Sequence, residues 1–111
     1  MYATIRRYKT DFPAKVNSRV REEFVPLISK QPGFIAYHGI DAGDGHWVSV
    51  SVFETEAGAE KSNAIAKEWV KNNIAAFQNI LDFDDSDLLI PDITGGEVIA
   101  SSVKASARKV A

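Results

Sequence analysis

The run Trp47 to Phe53, WVSVSVF, constrains the fold more than any other part of the chain. Strict alternation puts Val48, Val50 and Val52 on one side of a strand, with Trp47, Ser49, Ser51 and Phe53 on the other. Neither row suits water: the valines form an apolar stripe, and the opposite row carries a tryptophan and a phenylalanine. The strand must therefore belong to a sheet covered on both faces. Ahead of it, Phe34 to Ile40 is apolar and aromatic, and AGDG at 42–45 is rich in residues that accept left-handed backbone. Pro32 to Thr55 thus reads as a hairpin that leads into a helix.

At 111 residues, 45% of them apolar, the chain is long enough for one core and one domain. It is also small enough that covering a sheet face with a second subunit would add appreciable stability. Thirteen Lys and Arg against fifteen Asp and Glu leave a net charge of -2, so no global field favours nucleic acid or anionic lipid. The absence of cysteine excludes disulfides, thiolate nucleophiles and cysteine metal sites. Apolar runs fall short of a membrane span and Met1 leads directly into a strand pattern, which sets the expectation of a cytoplasmic protein without membrane contact.

Tyr2 to Lys9 is the first predicted strand, with Tyr2, Thr4, Arg6 and Tyr8 on one face and Ala3, Ile5 and Arg7 on the other. Two readings of the arginine pair stand: both heads in water at a strand end, or one reaching into a ligand pocket. Phe12 to Lys30 has helical spacing through Val16, Val20, Phe24, Leu27 and Ile28, with Asp11 and Pro13 at its start. Pro26 inside it predicts a kink. Thr55 is placed to cap a second helix over Glu56 to Asn72, which bends near Asn72 and Asn73 and continues over Ile74 to Leu81. Asp82, Asp84, Asp85 and Asp87 follow in a connection without EF-hand spacing, read as a solvated loop rather than a calcium site. Glu97 to Lys104, EVIASSVK, is the predicted last strand, so that one domain spans 1–104 and a tail occupies 105–111.

Strand, helix, strand, strand, helix, strand is the order of an α+β, ferredoxin-like βαββαβ sandwich, with two helices on one face of a four-stranded antiparallel sheet. A second subunit is the simplest cover for the other face, which predicts a homodimer. PGF at 32–34, VSVSVFET at 48–55, AGAEKSNAIAKEWV at 57–70 and GEV at 96–98 resemble the antibiotic biosynthesis monooxygenase group of dimeric α+β barrel proteins, over almost the whole chain to about Val103. The resemblance implies a dimeric barrel and chemistry without a cofactor. It also locates a pocket. Ser49 and Phe53 match the positions where phenol-oxidising members carry an Asn and a Trp, and Ser62, next to Asn63, matches a second-helix His of other members. Trp69 stands where haem-degrading members carry a Trp, but Asn79 replaces their iron-ligating His, which argues against haem.

Among titratable groups, His38 is a candidate base if its ring faces the helix-covered cavity, whereas His46 belongs to the turn. Tyr37 and His38 point to opposite faces, so one of them at most lines that cavity. Both histidines lie at opposite ends of one ribbon, which predicts no metal site. Ser49, Phe53, Ser62, Asn63 and Trp69 together suit an apolar cavity with a few oriented donors. With His38 and Arg6 as base or anion stabiliser, these residues support a cofactor-independent, monooxygenase-like enzyme acting on a small aromatic or polycyclic metabolite. The alternative is a non-catalytic dimeric small-molecule-binding or stress-associated protein of the same fold.

Overall fold

The computed structural model describes residues 1–10, 12–74 and 92–104. Strand β1 (Tyr2–Lys9) is followed by α1 (Pro13–Arg19), a π turn (Val20–Phe24) and α2 (Val25–Ser29). The hairpin is β2 (Phe34–Gly43) and β3 (His46–Phe53); then come α3 (Glu56–Trp69), a second π turn (Val70–Ile74) and β4 (Asp92–Glu97). The strands form one antiparallel sheet in the order β2-β3-β1-β4, the ferredoxin-like arrangement with the helices on one face.

Each element follows from local chemistry. Gly43, Asp44 and Gly45 turn the hairpin with φ of 87°, 55° and 77°, the left-handed region that Gly and Asp tolerate best. Thr55 caps α3 by accepting the Gly58 N–H at 3.1 Å. The kink predicted at Pro26 takes the form of the first π turn, in which the Val25 N–H reaches back five residues to the Val20 carbonyl. A proline ring collides with the carbonyl four residues before it and offers it no hydrogen bond, and a wider turn immediately upstream relieves both defects. The bend predicted near Asn72 and Asn73 is the second π turn.

The last strand differs from expectation. It is Asp92–Glu97, and 98–104 is not a strand despite its β-branched residues. The register explains this: β4 runs along β1 from Arg7↔Asp92 to Tyr2↔Glu97, and Val98 then donates to the carbonyl of Met1 at 2.9 Å, where β1 ends. Among the described residues no strand of the same subunit remains for 98–104 to pair with. The expectations for Asp11, for the helix continuing to Leu81, for the acidic cluster at Asp82 to Asp87 and for the 105–111 tail lie outside the described residues. Among the described residues no helix is long and apolar enough to cross a membrane.

Burial divides the sheet's two faces. Thr4, Arg6 and Tyr8 of β1 and Trp47, Ser49, Ser51 and Phe53 of β3 are buried beneath the helices. The core joins this face to Val16, Val20, Phe24, Ile28, Ala66 and Trp69. On the opposite face Ala3, Ile5, Ala36, Val48, Val50 and Val52 are half-buried and Ile40 is 45% exposed.

Candidate functional site

The helix-covered face holds a charge. Arg6 is 1% exposed, although arginine is almost never fully buried without a partner of opposite charge. Register puts it there: it lies opposite Ser49 of β3, and the small side chains of Ser49 and Ser51 leave room for the guanidinium to lie against the sheet beneath α3. Its Nε donates to Ser49 Oγ at 3.2 Å, one terminal nitrogen to Ser51 Oγ at 2.7 Å, and the other to Ser62 Oγ at 3.3 Å and Asn63 Oδ1 at 2.9 Å. Asn63 Oδ1 also accepts the Thr4 hydroxyl at 3.0 Å, and Ser62 is held in turn by donating to the Ala59 carbonyl at 2.6 Å. The Phe24 ring lies 6.0 Å from the guanidinium carbon, at the outer reach of a cation–π contact.

All of these acceptors are neutral. Among the described residues no carboxylate pairs with Arg6. Burial lowers the arginine's pKa from its ordinary value, with Tyr37 and Tyr8 as the charged-state neighbours that oppose the shift. A guanidinium nevertheless stays protonated in proteins, so the site carries a desolvated positive charge.

Beside this charge is an aromatic cavity lined by Tyr8, Val20, Phe24, Tyr37, Ala66, Trp69 and Val70, with an open volume of about 10 Å³. That is roughly the space of one water. Phe24 and Val70 come from the two π turns, a geometry that recurs at functional sites. Phe24 stands 5.3 Å from both Tyr37 and Trp69, centroid to centroid. Tyr37 lies opposite Ser51 in the register and so borders the Arg6 network. Burial pushes its phenol up to about 12 against the opposing pull of Arg6, and burial raises Tyr8 in the same direction.

The structure brings together Arg6, Ser49, Ser62 and Asn63 by direct hydrogen bonds and sets Trp69 in the cavity wall. Arg6 is buried beneath the helices rather than in water, while Arg7 lies on the other face and is exposed. Phe53 is fully buried but packs away from the cavity, edge-on to Phe34 and under Gly58. His38 requires correction. It pairs with Val50, shares the valine face and is exposed, so it does not line the cavity. A shift in register between Phe34 and Ala36 sets this phase of β2, and the inward residue is Tyr37, opposite Ser51. Sequence reasoning missed Ser51, Thr4 and Tyr8 as site residues. The usable signal was present in the alternation that puts Thr4, Arg6 and Tyr8 on the face of the Ser49 and Ser51 row.

No protein-family model matches the chain, and no curated protein matches it either. Solved structures do. A protein of unknown function from Nitrosomonas europaea superimposes with a TM-score of 0.66 at 20% identity, over 94% of this chain and 94% of that one. SnoaB, a cofactor-independent oxygenase from Streptomyces nogalater, gives 0.54 at 16% identity, over 92% and 94%. A dimeric ferredoxin-like protein from an uncultured marine organism gives 0.56 at 12% identity, over 93% and 97%. Further structural neighbours carry the antibiotic biosynthesis monooxygenase name. The chain thus has the ferredoxin-like α+β fold of the antibiotic biosynthesis monooxygenase-like proteins.

Proposed function

We propose that the protein is a homodimeric, cofactor-independent oxygenase that acts on a small aromatic or polycyclic phenol or enol. The observation that carries this reading is the buried Arg6 guanidinium, whose acceptors among the described residues are all neutral and which stands beside an aromatic cavity. Such a charge in a low-dielectric site lowers the pKa of a hydroxyl docked against it by about 1–3 units. The resulting oxyanion is electron-rich at its ring carbons and passes one electron to O2. Recombination at carbon and protonation give a hydroperoxide. At a former CH2 group, loss of water leaves a carbonyl, with one oxygen atom in the product and the other in the water. In this reading Arg6 stabilises the anion, Trp69 and Phe24 hold the ring, and Ser49, Ser62 and Asn63 hold Arg6. The proton leaves to solvent.

Oxygen uptake by the purified protein over a panel of anthrone-type phenols, dihydroxynaphthalenes and hydroquinones tests the reading. Protein-dependent uptake that falls at least tenfold in Arg6→Gln is expected. Uptake no faster than the uncatalysed background across the panel would sink it. The water-sized volume of the cavity favours a second reading, a dimeric binding protein without turnover. That protein would bind the same phenols and consume no oxygen.

A further inference from the structure

The inner cavity has an outer neighbour. A cleft of about 340 Å³ opens at the surface beside it, walled by Asn17, Arg21, Asp41 and Trp47, and Tyr37 and Val20 border both spaces. Its size falls within the roughly 300–1,000 Å³ range of small-molecule sites. The cleft owes part of its floor to Gly39, where a Cβ would come within 2.5 Å of the Trp47 ring. The side chains that separate the cleft from the inner cavity are therefore a valine and a phenol.

The phenol faces inward. Tyr37 lies opposite Ser51, whose Oγ accepts Arg6 at 2.7 Å, and the Tyr37 ring stands 5.3 Å from Phe24, the ring that lies 6.0 Å from the guanidinium carbon. The chain's own phenol thus stands between the cleft and the guanidinium's surroundings. We propose that Tyr37 is both the gate to the inner site and an internal stand-in for its ligand: an aromatic or enolic ligand seats in the cleft, and its acidic hydroxyl displaces the Tyr37 phenol beside Arg6.

The displacement selects for acidity. Tyr37 is neutral at physiological pH, since burial outweighs the attraction of Arg6 and holds its phenol at about 12. It gives the guanidinium a dipole. A more acidic hydroxyl arrives as an anion and gives it a full charge, which is the interaction that Arg6 lacks among the described residues. Arg21 and Asp41 at the cleft carry opposite charges, so the uncompensated field at the inner end comes from Arg6. The ligand class is thus a planar phenol or enol distinctly more acidic than tyrosine. This inference rests on the reading of Arg6 as an anion site and is independent of oxygen chemistry.

p-Nitrophenol is a suitable probe because its anion is coloured and its neutral form is not, so one absorbance titration reports binding and ionisation together. With wild-type protein, the bound probe is expected to ionise at least one pH unit below the free probe, a tenfold preference for the anion. Arg6→Gln should abolish the shift. Tyr37→Ala should bind the anion at least tenfold more tightly than wild type, because nothing competes for Arg6 and the passage is open. Tyr37→Phe keeps the ring against Phe24 and removes only the competing hydroxyl, so it should tighten binding severalfold and serves if the alanine variant does not fold. 4-Nitroanisole, which cannot ionise, should gain nothing from either substitution.

A probe bound to Tyr37→Ala or Tyr37→Phe with the ionisation of the free compound would overturn the proposal, because it would then sit in the cleft away from Arg6. Unchanged affinity in both Tyr37 variants would do the same. A lowered probe ionisation together with no oxygen uptake on any substrate would leave this inference standing and remove the oxygenase reading.

Discussion

Arg6 shows how much one residue's environment decides. A buried guanidinium loses several kcal/mol of hydration, and charge-assisted hydrogen bonds to neutral oxygens return about 1.5–3 kcal/mol each. Removing an acceptor should therefore cost more than removing the charge. Asn63 Oδ1 takes both Arg6 and Thr4, so Asn63→Ala strands two buried donors. We expect about 2 kcal/mol of destabilisation, read as a lower urea midpoint at unchanged slope. Arg6→Met, which replaces the charge with an apolar chain of similar length, should by contrast leave the midpoint nearly unchanged while abolishing p-nitrophenolate binding. A larger loss in the methionine variant than in Asn63→Ala would show that the network stabilises the fold chiefly through the charge. Tyr37 adds a pH signature. Its phenol is raised from 10.0 to about 12 in the folded state, so between those values the unfolded chain ionises first and stability falls as pH rises. Below that window the contribution is fully present. Tyr8 is shifted the same way, so Tyr37→Phe should flatten the decline of the urea midpoint above pH 10 without removing it.

At the scale of elements, what was legible in the sequence was what depends on neighbours along the chain. The hairpin could be read because Gly43, Asp44 and Gly45 bring left-handed backbone with them. The break in the first helix could be read because a proline cannot donate, and the start of α3 because the Thr55 hydroxyl can accept. Thr55→Ala removes the hydrogen bond to Gly58 and should cost about 1 kcal/mol, measured by the same denaturation. The misreadings depend on partners distant in sequence. EVIASSVK has the better strand composition, yet DITGGE takes the position beside β1, where Gly95 lies against the carbonyl of Ala3 with room for only a tight Cβ, 3.2 Å away. Whether Tyr37 or His38 points inward turns on a register shift near Phe34. Neither a pairing nor a bulge leaves a mark in local composition. The serines of β3 were visible as an inward row, but nothing in their own segment shows that an arginine needs them as acceptors.

For the whole molecule, the two sheet faces divide the work. One face holds Arg6 and its acceptors, and the other shows Val48, Val50, Val52, Ile5 and the 45% exposed Ile40, with His38 the inward-strand expectation that belongs here instead. Beyond β4, Ile99 is 94% and Val103 67% exposed, on a segment that pairs with no strand among the described residues. The proposed homodimer would cover both features at once. Val50 lies at the middle of the valine row, opposite Ile5 and His38 on its two neighbouring strands. Because the wild-type side chain is half-buried within the subunit, Val50→Lys can direct its long stem along the sheet and its charge outward, so the fold should survive. A lysine buried between two subunits has no such outlet. Sedimentation at micromolar concentration should therefore find wild type as a dimer and Val50→Lys as a folded monomer. Residues adjacent along β1 and β3 point to opposite faces, and Ser49, Ser51, Ser62 and Asn63, which accept from Arg6, belong to its own subunit. The monomer should accordingly keep the lowered ionisation of bound p-nitrophenol. A wild-type monomer would refute the dimer, and a monomeric variant that had lost the ionisation shift would show that each site depends on the partner across the sheet.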